Sequence, residues 1–264
     1  MKTTWTFFLA LFITANLVIA QDTLYVYKTG AVIYKQAVTG VDSVTFYKPS
    51  FPTNGLVAWW PFNGNANDES GNLHNGTVNG ATLTSDRFGK VNSSYSFNGS
   101  GNQWIDCGTS AVFAQTTNMT ISAWVYLNVF SSNGNVGYII TGTYDGLSSS
   151  GYIFNVVGPS KANLSFRWSS PTSQTETGNS NLNINTWYHV VITYDGNSTK
   201  LYLNGILDKS QIDSNPIGKT HLYIGGSGSV WYAPTFNMNG KIDDVGIWNR
   251  ALSQQEIIYL YNAK

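Results

Sequence analysis

Short apolar and aromatic runs, divided by polar turns, recur along most of this chain. From position 56 onward, eleven such runs have the length and the β-branched and aromatic content of strands. They cover 56–61, 95–97, 103–107, 119–127, 136–142, 152–157, 164–168, 187–194, 200–203, 221–224 and 241–248. So many short strands with short connections predict a two-sheet antiparallel sandwich.

Two of the runs show which faces are covered. In 119–126, Met119, Ile121, Ala123 and Val125 alternate with Thr120, Ser122, Trp124 and Tyr126. Alternate residues of a strand point to opposite faces, so the two sets lie on opposite sides of the sheet, and both sides are partly apolar. The run 187–194 is apolar on both sets, which predicts a central strand. His189 lies within it and is interpreted as a structural histidine.

Local turn and cap signals mark where elements end. Asp195-Gly196 and Asn204-Gly205 are hairpin turn pairs, the second favouring type I′ geometry. Ser253 and Glu256 have the spacing of a capping box, and Leu252 and Ile257 flank it as a hydrophobic staple. The chain is therefore predicted to finish with a strand, a turn and one short helix.

The N-terminal region divides into three parts. Residues 1–20 carry one early lysine, an apolar centre and small or branched residues at Val18 and Ala20, which is typical of a secretory signal peptide. The alternative is a membrane anchor, but the apolar run is shorter than the ~20 residues that a spanning helix needs. We expect a secreted or cell-surface protein without a membrane span after cleavage.

A short β-rich leader and a linker follow. Residues 21–48 contain three β-like runs divided at Gly30 and Gly40, and they form either a small ribbon docked on the main domain or a spacer. Two prolines in 49–54 predict a linker. The main domain is then 55–264.

Composition supports an all-β protein and excludes some partners. Charged residues are 11% and aromatic residues 14%, and there are 26 glycines, as expected of many strands and turns. The formal net charge is zero, and the lysines and arginines are scattered, so we expect no nucleic-acid partner. Cys107 is the one cysteine, which excludes an intrachain disulfide and predicts a buried apolar role.

Two long segments, 187–205 and 239–261, carry a family resemblance. With their order and motifs, the chain from 55 to 264 resembles the LamG-like jellyroll family, the laminin G, pentraxin and concanavalin A-like lectin group, in its secreted bacterial type. The resemblance implies an all-β, two-sheet antiparallel jellyroll with a short C-terminal helix, here preceded by the small β ribbon. It also implies binding of a polysaccharide or glycan, or of an extracellular protein.

The resemblance further implies a calcium site. In this family a loop like 67–77 lies beside the closing strand, and many members hold calcium there. By position the ligands would be Asp68, Asn72, Asn75 and Asp244, although His74 departs from the usual pattern. Two carboxylates with amide and backbone oxygens suit calcium. The alternative is that Asp68 and Asn72 satisfy turn amides without a metal.

Aromatic residues suggest a second kind of site. Trp124, Trp187 and Trp248 lie inside predicted strands and are assigned to the core. Candidate ligand contacts lie in two glycine-flanked loops: Trp231 and Tyr232, and Tyr144 and Asp145.

Catalytic machinery is not visible. The E-x-D-x-E pattern of retaining glucanases is absent, and Asp243 and Asp244 are adjacent, so they are predicted to point to opposite faces. We therefore predict a secreted, non-catalytic carbohydrate- or surface-binding module with a structural calcium ion. The alternatives are a structural or adhesive protein without sugar specificity, and a glycoside hydrolase.

Overall fold

The computed structural model describes residues 23–28, 31–37, 50–99, 102–114, 117–130, 135–142, 151–158, 162–169, 174–212, 221–227 and 237–263. The chain forms two compact units, Met1–Lys48 and Pro49–Lys264. In the first unit, β1 (Thr23–Lys28) and β2 (Ala31–Ala37) pair as an antiparallel ribbon, as predicted. The third predicted run of the leader and residues 1–20 lie outside the described residues.

The second unit is a sandwich of two antiparallel sheets followed by the helix α1 (Gln254–Asn262). One sheet has seven strands: β4 (Thr77–Asn79), β7 (Trp104–Thr109), β9 (Asn135–Gly142), β10 (Gly151–Val157), β11 (Ala162–Ser169), β12 (Gln174–Leu182) and β16 (His221–Ile224). Their order is β12-β11-β10-β9-β16-β7-β4.

The other sheet has eight strands: β3 (Leu56–Trp60), β5 (Thr82–Thr84), β6 (Ser94–Asn98), β8 (Met119–Leu127), β13 (Trp187–Tyr194), β14 (Ser198–Leu203), β15 (Ile206–Ile212) and β17 (Asn239–Trp248). Seven of them follow the order β15-β14-β13-β8-β17-β6-β5. The eighth, β3, pairs with β17 beyond the end of β6. The all-β, two-sheet prediction is confirmed.

All eleven predicted strands are present, with ends that differ by two residues or fewer. Four strands were missed, namely β4, β5, β12 and β15, and these are the four edges of the two sheets. An edge strand need not bury both of its faces, so its sequence carries little apolar alternation. Strand β12 is an example, because its polar sequence, Gln-Thr-Glu-Thr-Gly-Asn-Ser-Asn-Leu, shows no apolar alternation.

The main core fills the space between the sheets. Met119, Ile121, Ala123 and Val125 are fully buried in it, so this set forms the inward face of β8. The central position predicted for β13 is also confirmed, because Val190 and Ile192 enter this core while Val191 packs on the opposite side. Cys107 is buried, and burial raises the pKa of its thiol well above the ordinary range.

A smaller core lies between α1 and the outer face of the eight-stranded sheet. Its buried members are Val191, Tyr202, Trp248, Leu252, Ile257 and Leu260. Both residues of the predicted staple, Leu252 and Ile257, belong to this core.

The predicted capping box is confirmed, since Ser253 Oγ accepts from Glu256 N and the Glu256 carboxylate accepts from Ser253 N at 2.8 Å. Of the three tryptophans assigned to the core, Trp248 is fully buried and Trp124 is 9% exposed, whereas Trp187, at the start of β13, is only half-buried.

The tight turns behave as their residues require. Asn204 and Gly205 have φ angles of 51° and 78°, the left-handed pair of a type I′ turn between β14 and β15.

The segment around Phe51 has no regular structure, as its prolines predict, yet it packs on the sandwich. The Phe51 and Trp59 rings are 4.8 Å apart, and Trp248 Nε1 donates to Pro52 O at 2.6 Å. No helix of the described residues is long and apolar enough to cross a membrane.

We predict that Thr120→Val destabilises the domain without changing its fold. The buried Thr120 hydroxyl donates to Arg250 O at 2.7 Å and accepts from Leu252 N at 2.9 Å, so it connects β8 to the turn before α1. Valine has the same shape but leaves both backbone groups unpaired, which should lower the free energy of unfolding by about 2 kcal/mol. Urea unfolding measures this. Thr82→Val, at an exposed position, is the control. Equal stability of the two variants would contradict a stabilising role for the two Thr120 hydrogen bonds.

Candidate functional site

The predicted calcium loop is organised around the carboxylate of Asp68, which is 7% exposed. Asp68 Oδ1 accepts from Trp59 N and from Ser70 N, and Oδ2 accepts from His74 N, each at 2.9 Å. Burial acts to raise the pKa of Asp68, but these backbone hydrogen bonds outweigh it and lower the pKa below its usual value. Asp68 therefore holds the loop closed and ties it to β3.

The two asparagines of the predicted set serve the same loop. Asn75 Oδ1 accepts from Asp68 N at 2.9 Å, and Asn72 Nδ2 donates to Val57 O at 2.9 Å. Asn75 therefore satisfies a loop amide without a metal, whereas Asn72 bonds a carbonyl of β3 and not the turn amide that the alternative expected.

The fourth predicted ligand, Asp244, contacts an arginine. Its Oδ2 lies 2.6 Å from Arg87 Nη1, and Oδ2 of Asp243 lies 2.8 Å from the same nitrogen. The prediction that the two aspartates point to opposite faces is wrong. A bulge in β17 opposite Trp124 and Ser122 of β8 inserts one extra residue, and Asp244 has a φ of 45°. This breaks the alternation and turns both carboxylates to one cation.

The contacts of these residues do not fit a calcium ion. Calcium takes six to eight oxygens, whereas the Asp68 carboxylate already accepts three amide hydrogens and Asp244 is paired with Arg87. Within the described ranges no three His, Cys, Asp or Glu side chains are placed to hold a metal. The calcium site stays a prediction from the family resemblance.

The four predicted ligand contacts, Trp231, Tyr232, Tyr144 and Asp145, lie outside the described residues. Two other surfaces of the described sandwich bring together chemistry that no sequence motif indicated. One lies beside α1 and the other on the outer face of the seven-stranded sheet.

The first surface is a cleft of about 360 Å³, here called the helix-side cleft. Its lining comes from α1, the outer face of the eight-stranded sheet and the loop between β5 and β6: Phe51, Trp59, Pro61, Asn63, Asp86, Arg87, Phe88, Lys90, Ser122, Trp124, His189, Asp243, Asp244, Tyr259, Leu260 and Ala263. The cleft therefore combines aromatic walls with five charged side chains.

Arg87 is the centre of this cleft. Its guanidinium carbon lies 4.5 Å from the centroids of both the Phe88 and the Trp124 rings, and its side chain is only 7% exposed. Nη2 donates to Ala263 O at 3.3 Å, while Nε has no hydrogen-bond partner among the described residues. For Asp243, burial and the nearby charge of Asp244 raise the pKa, and Arg87 only partly opposes them. Two carboxylates thus share one cation.

His189 forms the floor of the cleft. Its Nε2 lies 2.9 Å from Ser122 Oγ, and Nδ1 is buried without a described partner. The predicted structural role holds for one ring nitrogen only. Burial lowers the pKa of His189 to about 3, and the charge of Arg87 acts in the same direction. The imidazole is therefore neutral at physiological pH.

The second surface is a group of polar and aromatic side chains on β7 and β16, here called the polar strip: Trp104, Asp106, Thr109, His221 and Tyr223. Trp104, Asp106, His221 and Tyr223 point away from the core, since the alternating residues Ile105, Cys107, Leu222 and Ile224 enter it. Thr109 joins them because the register shifts at this end of β7 and pairs it with His221. Each is half-buried or exposed. The strip is therefore open to solvent.

Hydrogen bonds and stacking order the polar strip. His221 Nε2 lies 2.7 Å from Asp106 Oδ1, and Nδ1 lies 3.0 Å from Thr109 Oγ1. Because an ionised carboxylate only accepts, Nε2 donates to Asp106, and in the neutral imidazole Nδ1 then accepts from the Thr109 hydroxyl. The His221 and Tyr223 rings stack with centroids 4.4 Å apart. The pKa of Tyr223 is raised, mainly by burial and secondly by the negative charge of Asp106.

Beyond the strip, the same sheet face is buried towards Asn155, since Thr141 is 0% and Ile153 5% exposed. Tyr223 pairs with Thr141, Thr141 pairs with Ile153, and Asn155 follows two residues later on the same face of β10. Asn155 is 7% exposed, and its Oδ1 accepts no hydrogen bond from the described residues. The alternation of His221 and Tyr223 could have been read from the predicted strand 221–224, but their neighbours on β7 and β10 could not.

We predict that the neutral His189 makes stability fall on acidification. The unfolded chain takes up a proton near pH 6.5, whereas the folded chain does not do so until about pH 3. The folded-state pKa is lowered, so this contribution is complete above pH 6.5 and is lost as the pH falls from 6.5 towards 3. His189→Gln should remove it, and the stability difference between wild type and variant should shrink by about 2 kcal/mol between pH 7 and pH 5. Urea unfolding at each pH measures this, and parallel curves would contradict a neutral imidazole.

Thermal unfolding with millimolar calcium and with excess chelator tests the predicted metal site. Calcium at 100 times its Kd would stabilise the protein by about 2.7 kcal/mol. Because Asp68 and Asp244 already have partners, we expect the same midpoint in both conditions. A rise with calcium that is lost in Asp68→Ala and Asp244→Ala would overturn this expectation and establish the site.

The sequence matches one family profile. The Laminin G 3 profile, described as the concanavalin A-like lectin/glucanases superfamily, matches residues 98–258, which is more than half of the chain. Among curated proteins, none matches this sequence.

Solved structures with the same fold include three bacterial domains. Domain 4 of AbnA, a GH43 extracellular arabinanase from Geobacillus stearothermophilus, in complex with arabinotriose, has a TM-score of 0.63 and 18% identity over 78% of this chain and 98% of that domain. The binding domain of Paraclostridial Mosquitocidal Protein 1 has a TM-score of 0.61 and 19% identity over 80% of this chain and 52% of its own.

The third is the ligand-binding domain of botulinum neurotoxin serotype D in complex with N-acetylneuraminic acid, with a TM-score of 0.60 and 18% identity over 80% of this chain and 52% of that one. This chain therefore spans about half the length of the two toxin structures. At such identities the likeness shows the fold alone.

Proposed function

Because the chain belongs to the concanavalin A-like lectin/glucanases superfamily, we propose that it is a secreted, non-catalytic module that binds glycans through the polar strip. The observation that carries this proposal is the Asp106–His221 pair beside Tyr223. His221 bonds Asp106 and stacks on Tyr223 on the outer face of the sheet. The His221 and Asp106 side chains are 28% and 32% exposed.

The chemistry of the strip suits a sugar. A sugar ring offers hydroxyls that both donate and accept, and faces of C–H groups that pack on aromatic rings. Asp106 supplies a carboxylate acceptor, and Trp104 and Tyr223 supply aromatic surface on the same face. Charge-assisted hydrogen bonds with a few aromatic contacts are the usual means by which a shallow site gains affinity.

The two faces of the sandwich support this location. Helix α1 and its small core cover much of the outer face of the eight-stranded sheet. On the seven-stranded sheet, the side chains of the polar strip offer hydrogen-bonding groups to a ligand. The arabinanase domain and the neurotoxin domain carry arabinotriose and N-acetylneuraminic acid, respectively, so the fold itself is compatible with glycan binding.

The partners of the described carboxylates support a non-catalytic role. A glycosidase needs two carboxyl groups that face a sugar, whereas Asp243 and Asp244 share Arg87 and Glu256 caps α1. We expect no release of reducing sugar from polysaccharides that the protein binds. Sustained release by the purified protein would overturn this part of the proposal.

A glycan array followed by calorimetric titration tests the binding surface. We expect selective binding of at least one glycan, and at least a tenfold loss of affinity, ~1.4 kcal/mol, in Asp106→Asn and in Tyr223→Ala. Tyr126→Ala is a matched control, since Tyr126 lies on the eight-stranded sheet, half-buried. A protein that binds no glycan, or whose binding survives both strip variants, would contradict the proposal.

A further inference from the structure

A row of side chains crosses the outer face of the eight-stranded sheet, here called the outer row. Cross-strand pairs place its members side by side on β13, β8, β17, β6 and β5, in the order Trp187, Tyr126, Lys241, Ser96 and Thr82. None of the five belongs to the small core under α1 or lines the helix-side cleft. The outer row is therefore a separate surface of the same sheet.

The outer row faces solvent. A residue next to each member enters the main core, namely Ala81, Phe97, Val125, Tyr188 and Ile242, so the members themselves point outward. Four of them are half-buried and Thr82 is exposed. Neighbouring strands are ~4.8 Å apart, so the five strands give the row a length of about 19 Å. A linear ligand of several units can lie along it.

The strands under the centre of the row are paired on both sides. Strand β13 lies between β14 and β8, β8 lies between β13 and β17, and β17 lies between β8 and β6. Their backbone groups are used within the sheet, so a peptide cannot join here as an added strand, which is how sheet edges bind extended peptides. A ligand of the outer row is recognised by side chains.

Lys241 gives the row a positive centre. Its Nζ lies 5.0 Å from the centroid of the Tyr126 ring and forms no ion pair or hydrogen bond with any described residue. The next carboxylates along β17, Asp243 and Asp244, are held by Arg87. Contact with an aromatic ring leaves the charge of an ammonium group uncompensated. Lys241 is therefore available for a charge-assisted hydrogen bond to an anionic group.

Aromatic rings and side-chain amides flank this lysine. The Tyr126 and Trp187 rings have centroids 5.6 Å apart. Tyr126 Oη donates to Asn185 Oδ1 at 3.3 Å, and Asn128 Nδ2 donates to Asn239 Oδ1 at 3.1 Å. Asn185 Nδ2 and Asn128 Oδ1 keep no partner among the described residues, and both asparagines are exposed. The row thus offers a cation, aromatic surface, a donor and an acceptor.

We propose that the outer row is a second binding site, and that it takes a glycan chain containing uronic acid residues. A uronate ring has a carboxylate for Lys241, a face of C–H groups for Trp187, and hydroxyls that pair with Asn128 and Asn185. The polar strip has the carboxylate of Asp106 where the outer row has an ammonium group, so the two sites select ligands of different charge. The inference goes beyond the function proposed for the strip.

Calorimetric titration of the full chain with matched probes tests the ligand class. The probes are trigalacturonate, trimannuronate and triguluronate, the methyl ester of each, and triglutamate. An ester keeps the sugar without the charge, and triglutamate keeps the charge without the sugar. We expect at least one uronate to bind at least tenfold more tightly than its ester and than triglutamate, with an affinity that falls as ionic strength rises. No uronate binding up to ~10 mM, or equal binding of the ester or of triglutamate, would overturn the proposal.

Substitutions then locate the site. Lys241→Gln removes the charge and breaks no described hydrogen bond, so a folded variant is expected, and it should weaken uronate binding at least tenfold. Lys241→Arg should restore binding to within threefold of wild type, and Trp187→Ala should weaken it at least fivefold. Lys209→Gln, at a half-buried lysine of β15 outside the row, is the matched control. Unchanged binding in both Lys241→Gln and Trp187→Ala would refute the inference.

Reciprocal variants separate this inference from the function proposed for the polar strip. Asp106→Asn should leave uronate binding unchanged, whereas Tyr126→Ala, the control for the strip, should weaken it. A ligand of the strip should bind Lys241→Gln as it binds the wild type. Uronate binding that is lost in Asp106→Asn and kept in Lys241→Gln would place the uronate on the strip, which would refute the outer row and leave the strip as a glycan site.

Discussion

The buried contact of Arg87 with Asp243 and Asp244 is the interaction on which the larger sheet depends. Strand β17 runs along β8 on one side, while on the other side its first half pairs with β6 and its second half with β3. The neighbour changes at the bulge that carries the two aspartates. Buried carboxylates without a cation would be strongly destabilising, so the bulge requires Arg87. Through its bond to Ala263 O, the same side chain also ties the loop after β5 to the end of α1.

This arrangement divides the sandwich into two chemically different faces. On the eight-stranded sheet, α1 closes most of the outer surface and leaves a cleft with charged groups in an aromatic setting. On the seven-stranded sheet, hydrogen bonds between Asp106, His221 and Thr109 order side chains that remain accessible. Pre-ordered polar groups lose little conformational freedom when a ligand arrives, which favours binding. The two faces therefore differ in how accessible their polar groups are.

Burial has opposite consequences for neighbouring groups of the cleft. It lowers the pKa of His189 and raises the pKa of Asp243, because in each case it disfavours the charged form. Acidification consequently weakens the folded state through the histidine and strengthens it through the carboxylate pair. The two contributions oppose each other between about pH 4 and pH 6.5. Over this range the contributions of His189 and Asp243 partly cancel.

Features that depend on neighbours along the chain could be predicted from the amino-acid pattern. Period-two alternation located the central strands, the turn Asn204-Gly205 has the backbone angles its residues favour, and Ser253 with Glu256 caps α1. The edge strands could not be found, because strands that bury little carry little apolar pattern. Only the tertiary structure decided the two candidate surfaces. Arg87 meets Asp243 across 156 positions and Asp106 meets His221 across 115, and a one-residue bulge reverses the side of Asp244. Such contacts depend on sheet order and register, which local periodicity does not encode.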